Sequence, residues 1–371
     1  MENNKKYWLG LSLVPGLGPV TLSKALQLEP DPKKIWLAAE KKLQHLLGKA
    51  KLKESLCETR ENLDLETRLA ELEEKNIKII TREDEKFPAA LREIYDPPPV
   101  LFVKGEIFAN FPAVAIVGSR KSTRYGEKVS FRLAEELARY NITVISGMAE
   151  GIDRQAHLGA LAGKSRTIAV LGSGHNYCYP YKNRDIFDRI PGQGAVISEF
   201  WLDKKPTAGS FPRRNRIISG MSQGVIVVEA ARESGALITA NLALEQNREI
   251  FAVPGNIDRP NSEGCNNLLV EGAIPVTDAG DIISHLFHEV TVENEDKKVV
   301  IPPDFTPLEK KIIKIFNRER ELTLEELISL TDREAGELNS LLLKLEVREI
   351  ITRRSGQKYY FEGLQNLLKP I

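Results

Sequence analysis

The sequence predicts an α/β fold built on a doubly wound parallel sheet, and three features carry the prediction. Between about residues 110 and 285, short β-branched apolar runs alternate with helix-length segments. Each run is continuous rather than alternating, which suits strands covered by helices on both faces. Residues 1–80 read as helical, and those after 304 as three helices and a hairpin. At 371 residues the chain exceeds what one core usually supports, so two or three domains are expected. The reading divides it into a helical domain at 1–80, a Rossmann-like core at 81–287, a linker at 288–304 and a winged-helix domain at 305–371.

The first block opens with Tyr7, Trp8, Leu9, Leu11 and Leu13, turns at Pro15-Gly16-Leu17-Gly18, and resumes an apolar period from Val20 to Leu26. A Gly-x-Gly turn between short helices is similar to a helix-hairpin-helix, whose turn amides approach DNA phosphate. The same two glycines also serve a tight turn with no ligand at all. The Lys/Glu-rich stretch at 40–75 reads as solvated helix surface.

Six strands are expected in the core: Val114–Val117, Ile142–Ile145, Thr167–Leu171, Ala195–Ile197, Val225–Val228 and Ile250–Val253. Segments such as Gly126–Tyr140 supply the crossover helices. The charged stretch from His288 to Lys298 and the pair Pro302-Pro303 read as a linker. Helices over Pro307–Asn317, Leu324–Leu330 and Arg333–Val347, with a hairpin over Ile350–Phe361 turning near Ser355-Gly356, make a winged helix-turn-helix. Its third helix sets Glu334, Glu337 and Glu346 against Arg333, Lys344 and Arg348. That balance suits a protein contact better than a phosphate backbone, although Arg353, Arg354 and Lys358 gather at the wing.

Composition narrows the function classes. Hydrophobic residues make up 42% and charged residues 28%, ordinary for a globular protein rather than a disordered or collagen-like one. The 52 basic and 52 acidic residues cancel, so any polyanion must be held by a local patch. Cys57, Cys178 and Cys265 lack metal-ligand spacing and imply no disulfide framework. There is no secretory h-region at the N-terminus and no apolar run of the ~18–20 residues that span a bilayer, so a cytoplasmic protein without a membrane partner is expected.

The chemistry concentrates where strands end. The first strand runs into Gly118-Ser119-Arg120-Lys121 and then Arg124, opening a helix whose N-terminal amides favour anions. Arg120, Lys121 and Arg124 stand where a dinucleotide site keeps small residues, which favours an open phosphate track over a pyrophosphate slot. Later strands end alike, in Ser146-Gly147 with Gly151, in Gly172-Ser173-Gly174, in Glu229 with Ser234-Gly235, and in Pro254-Gly255. In an open parallel sheet such loops gather at one crevice. Between strands, Lys204, Lys205, Arg213, Arg214 and Arg216 place five cations within thirteen residues, beside Phe211 and Asn215. Cations track a phosphodiester backbone and an aromatic face stacks a base. At least one arginine, Arg213 or Arg216, is expected to pair internally with Glu199 or Glu229.

These stretches resemble the DNA-processing protein A family. The resemblance runs from about 87 to 275, through Phe87-Pro88, Leu91, Ile94, Asp96-Pro97-Pro98, Val117-Gly118-Ser119-Arg120 and Ser146-Gly147 with Gly151-Ile152-Asp153, Ala156 and His157. It continues through Tyr179-Pro180, Ser198-Glu199, Phe211-Pro212 with Arg214-Asn215-Arg216, Ser234-Gly235 with Leu237 and Thr239, Val253-Pro254-Gly255 and Gly264-Cys265-Asn266. It implies single-stranded DNA in the core, a homodimer, protection of incoming DNA in natural transformation, and delivery of a RecA-type recombinase onto the strand. No catalysis, cofactor or metal is expected. Carried over, the arginine of the Gly-Ser-Arg turn is Arg120, and the Phe-Pro-x-Arg-Asn-Arg segment is Phe211–Arg216. Asn266 joins the expected DNA-contacting set from the last matching stretch.

A nucleotide-binding enzyme, similar to the nucleoside monophosphate phosphoribohydrolases, is the alternative. Those enzymes use a Pro-Gly-Gly-x-Gly-Thr loop, whereas this chain has Val228 to Leu237 without the glycine pair. Asp153 and Glu199 are possible general bases without an evident partner in sequence, and His157 reads as a packing histidine. A nicotinamide oxidoreductase would need an acid where the second strand ends in Ser146-Gly147-Met148. A pure protein adaptor would leave the cations at 204–216 without a partner.

Overall fold

A computed structural model describes residues 4–287, 305–319, 321–331, 333–348, 350–354 and 358–361. The expected linker at 288–304 and hairpin turn at Ser355-Gly356 lie outside these residues. The chain divides into two compact units, Met1–Thr291 and Val292–Ile371. Among the described residues, no helix is long and apolar enough to cross a membrane.

The first unit begins with six short helices, Lys5–Leu13, Pro19–Leu28, Pro32–Trp36, Glu40–Leu47, Ala50–Asn62 and Leu65–Glu74. None is long enough to be stable alone in water. Their buried faces, with Trp8, Leu22, Leu43, Leu56 and Leu72, form one cluster with Ile79, Val100, Phe102 and Leu202 from the sheet side. At the glycine turn, Gly16 has φ +82° and the amides of Leu17 and Gly18 donate to Val14 and Gly16 carbonyl oxygens. With those two donors paired in the backbone, the tight-turn reading accounts for this motif.

Nine strands follow: β1 Lys78–Thr81, β2 Val100–Gly105, β3 Ala113–Val117, β4 Thr143–Ser146, β5 Thr167–Val170, β6 Ala195–Ser198, β7 Gly224–Val227, β8 Glu249–Ala252 and β9 Ile274–Pro275. Their order is β1-β2-β6-β5-β4-β3-β7-β8-β9. From β6 to β9 all pairs are parallel, while β2 and β1 form an antiparallel edge. The six expected strands are present within one residue of their expected starts. The additional β1, β2 and β9 were not expected. Strand β9 has only two residues, β1 lies at the end of the stretch read as helical, and β2 follows directly on Pro97-Pro98-Pro99, which masks a strand pattern.

Both sheet faces are covered. Val114 and Ile116 of β3 pack with Leu133 and Leu137 of the helix Arg124–Arg139, while Ala115 and Val117 pack toward Ile217 and Ile218 of the helix Ser210–Gly220. Strand β3 pairs with β4 on one side and β7 on the other. Because the chain leaves β3 toward β4 and leaves β7 toward β8 on the opposite side, the crevice of such a sheet opens at the carboxyl ends of β3 and β7.

The second unit holds helices Pro307–Glu319, Leu324–Thr331 and Ala335–Val347 and strands β10 Glu321–Thr323, β11 Ile351–Arg354 and β12 Lys358–Phe361. The strands are antiparallel in the order β10-β12-β11. Its own core includes Phe305, Ile312, Phe316, Leu327, Leu338 and Ile350.

Candidate functional site

At the carboxyl ends of β3 and β7 lies an open cleft of about 840 Å³. Its floor is made by backbones in close approach. A Cβ on Gly118 would stand 2.6 Å from Ile152 Cγ1 and 2.9 Å from the Glu229 carbonyl oxygen, so only glycine lets these loops meet. Gly151, at φ +77°, brings the loop after β4 against the same turn, where the Ile152 amide donates to the Ser119 carbonyl at 3.3 Å. Arg120, Lys121 and Arg124 project from this turn and are exposed.

At the helix N-terminus behind the turn, where free, anion-binding amides were expected, some donors are engaged internally. Thr123 caps the helix, and its amide donates to Glu229 Oε2 at 2.8 Å while its hydroxyl donates to Oε1 at 2.5 Å. The Ser119 amide donates to the Glu229 carbonyl at 2.7 Å. A buried internal carboxylate thus takes up part of the hydrogen-bonding capacity at this helix N-terminus. Removing it takes the charged acceptor from the Thr123 amide and hydroxyl. Glu229→Ala is expected to lower stability by about 1–3 kcal/mol, measured by urea denaturation.

The cation-rich segment becomes the helix Ser210–Gly220, which lies along the cleft. Ser210 pins its start by donating to the Gly172 carbonyl at 2.5 Å. Phe211 lies on Gly172, where a Cβ would come within 2.7 Å of the ring, with the Arg120 guanidinium 5.0 Å from the ring centroid and Tyr179 5.7 Å away.

Burial then separates the five cations. Lys204, Lys205 and Arg213 are exposed, whereas Arg214 and Arg216 are buried. Arg216 pairs with Glu199 at 2.5 Å and Asp96 at 3.1 Å, and Arg213 reaches Glu199 at 3.0 Å. The expected internal pairing therefore falls on Glu199, because Glu229 is engaged with Thr123. Arg214 donates to the carbonyl oxygens of Gly147 and Val170 and to Asn215 Oδ1. Burial lowers its pKa to about 10. Burial also raises the carboxyl of Asp153 above its usual range, partly opposed by Arg214. Asp153 accepts from the amides of Gly147 at 3.1 Å and Ala149 at 3.3 Å.

Of the residues singled out from sequence, Gly118, Ser119, Arg120, Lys121, Phe211, Arg214, Asn215, Ser234 and Gly235 line the cleft. Ser146, Gly147 and Gly151 support its floor: the Ser146 hydroxyl donates to the Ile116 carbonyl at 2.6 Å. Outside the lining are Arg124, Lys204, Lys205, Arg213, Arg216, Gly174 and Asn266. Gly174 donates its amide to the Lys204 carbonyl, and Asn266 closes on both backbone groups of Gly255. His157 is buried with Nδ1 2.7 Å from Thr167 Oγ1, the packing role expected of it. Tyr179, Thr207 and Thr239 also line the cleft without having been assigned to it, as does Asp153, the possible general base. Tyr179-Pro180 was visible only as a family-like dipeptide, since nothing in the sequence tells how near its loop comes to Phe211.

A mostly parallel α/β sheet, wound on both faces and opening a glycine-floored cleft at its switch point, places the chain in the class of doubly wound ligand-crevice proteins. More closely, the family described as DNA recombination-mediator protein A matches residues 78–287, and the chain belongs to that family. Protein Smf of Synechocystis is 32% identical over 97% of this chain and 99% of its own length. Among solved structures, DNA processing protein A of Streptococcus pneumoniae is similar with a TM-score of 0.68 and 33% identity, covering 76% of this chain and 98% of that one. The same protein from Helicobacter pylori, whose structure concerns its single-stranded DNA binding mode, gives a TM-score of 0.52 at 31% identity over 57% of this chain and 96% of that one.

Proposed function

We propose that this protein binds single-stranded DNA across the carboxyl ends of its parallel sheet, protects incoming strands during transformation and recombination, and passes them to a RecA-type recombinase. The carrying observation is the company kept in one open cleft: Arg120 and Lys121 are exposed beside two aromatic rings, Phe211 and Tyr179. Cations with stacking rings suit a polyanion whose bases are unpaired, and disfavour a rigid duplex. The single-strand binding of the Helicobacter pylori relative supports the same reading.

In this reading the protein acts by binding alone, in the cytoplasm, as a homodimer whose two clefts raise avidity for a long strand. The second unit, with three helices and a three-stranded sheet, is read as a winged helix that contacts protein. A nucleotide-cleaving alternative rests on Asp153, a buried carboxyl at the cleft wall whose pKa is raised.

The test is an anisotropy titration of labelled single-stranded and duplex oligonucleotides at several salt concentrations, with wild type and Arg120→Ala. Single-strand preference is expected, with log affinity falling linearly with log salt by ~0.7 per phosphate neutralised. Arg120→Ala should bind more weakly and flatten that slope by about 0.7. A salt-independent response, or an unaffected mutant, would move the DNA away from this cleft. Release of ribose phosphate from nucleoside monophosphates would support the enzyme instead.

A further inference from the structure

We propose that Tyr179 is the base platform of the cleft, the aromatic face on which one nucleotide of a bound strand stacks beside Arg120. The inference rests on the single-strand reading above and adds to it the ring that does the stacking.

Two rings meet at this cleft, and they are not equally free. Phe211 is part-buried against Gly172, and the Arg120 guanidinium already lies over its ring at 5.0 Å. Tyr179 lines the same cleft yet is 50% exposed. Its ring meets Phe211 at 5.7 Å with the planes inclined by 37°, so one side of Tyr179 is braced while much of it faces solvent. Its hydroxyl has no hydrogen-bond partner among the described residues, so no polar contact fixes the ring away from a ligand.

A braced, half-exposed aromatic is what a stacking base covers with little loss of side-chain freedom. Any base has a π face, so the platform is tolerant of sequence. Phe211 then takes a different part from the one its sequence context suggested. It holds Arg120 through cation–π contact and backs Tyr179, while the base lies on Tyr179.

The experiment compares an oligothymidylate with an abasic strand of equal length, titrated against the full chain by anisotropy. Wild type, Tyr179→Ala, Tyr179→Phe and Arg120→Ala are measured together. Tyr179→Ala should bind oligothymidylate about five- to a hundredfold more weakly, with its preference over the abasic strand reduced by a similar factor. Tyr179→Phe should behave as wild type. Arg120→Ala should weaken both strands alike.

If Tyr179→Ala keeps the wild-type ratio between the two strands while Arg120→Ala weakens both, the platform is overturned and the single-strand reading stands. If wild type binds neither strand, both are overturned. Should Tyr179→Ala misfold by circular dichroism, Tyr179→Trp decides: its added fluorescence should be quenched by oligothymidylate and not by the abasic strand. Equal response to the two strands counts against stacking.

Discussion

Arg214→Ala is expected to cost the first unit about 3–5 kcal/mol, read as a fall in its thermal or urea midpoint. The guanidinium sits among the ends of β4 and β5, donating to the Gly147 and Val170 carbonyl oxygens, and the residue is only 4% exposed. Deleting it leaves those acceptors unpaired and takes the nearest opposing charge from Asp153, itself buried. Arg214→Lys should rescue little, because one ammonium cannot reproduce a planar fork aimed at several acceptors. The outcome also separates two roles for this arginine. A phosphate contact would show as lost DNA binding in a protein of normal stability. A buttress would show as lost stability, with binding failing only where the fold does.

Acid should destabilise the protein by way of two buried histidines. Burial lowers the pKa of His157 to about 3 and that of His175 to about 4. Both lie below the value of about 6.5 expected in the unfolded chain, so the unfolded state takes up protons first. Their stabilising contribution is therefore complete above pH 6.5 and is lost as pH falls toward 3–4. At pH 5 each is expected to have cost about 2 kcal/mol relative to pH 7. Asp153 runs the other way, since a raised carboxyl pKa lets the folded state take its proton first and offsets part of the loss at lower pH. His157→Asn keeps a partner for Thr167 Oγ1 and cannot titrate. Its urea midpoint should fall about half as far between pH 7 and pH 5 as that of wild type. An unchanged pH dependence would remove His157 from this account.

Some of this was legible in the residues themselves. Six β-branched runs are long enough, and continuous enough, to announce strands buried on both faces, and all six formed. The turn at Gly118–Lys121 could be placed at a crevice because the carboxyl end of a parallel strand is where ligands sit. The cation density at 204–216 marked the segment that borders the cleft. Strand β9 escaped because two residues carry no measurable period, and β1 because it closes a stretch read as helical.

By itself, then, the sequence determined the α/β class, the principal strands, the glycines at their ends and the chemistry available there. Those depend on local pattern and residue type. The tertiary structure alone decided which cations stay exposed and which are buried. Arg213, Arg214 and Arg216 are alike as letters, yet one is 48% exposed at its side chain and two are buried on Glu199, Gly147 and Val170. It likewise gave Glu229 to the helix at Thr123 and brought Tyr179 to Phe211. Partners so distant in sequence leave no local signature. They are chosen when the sheet order brings separate loops to one edge, where desolvation requires each buried charge to find a partner.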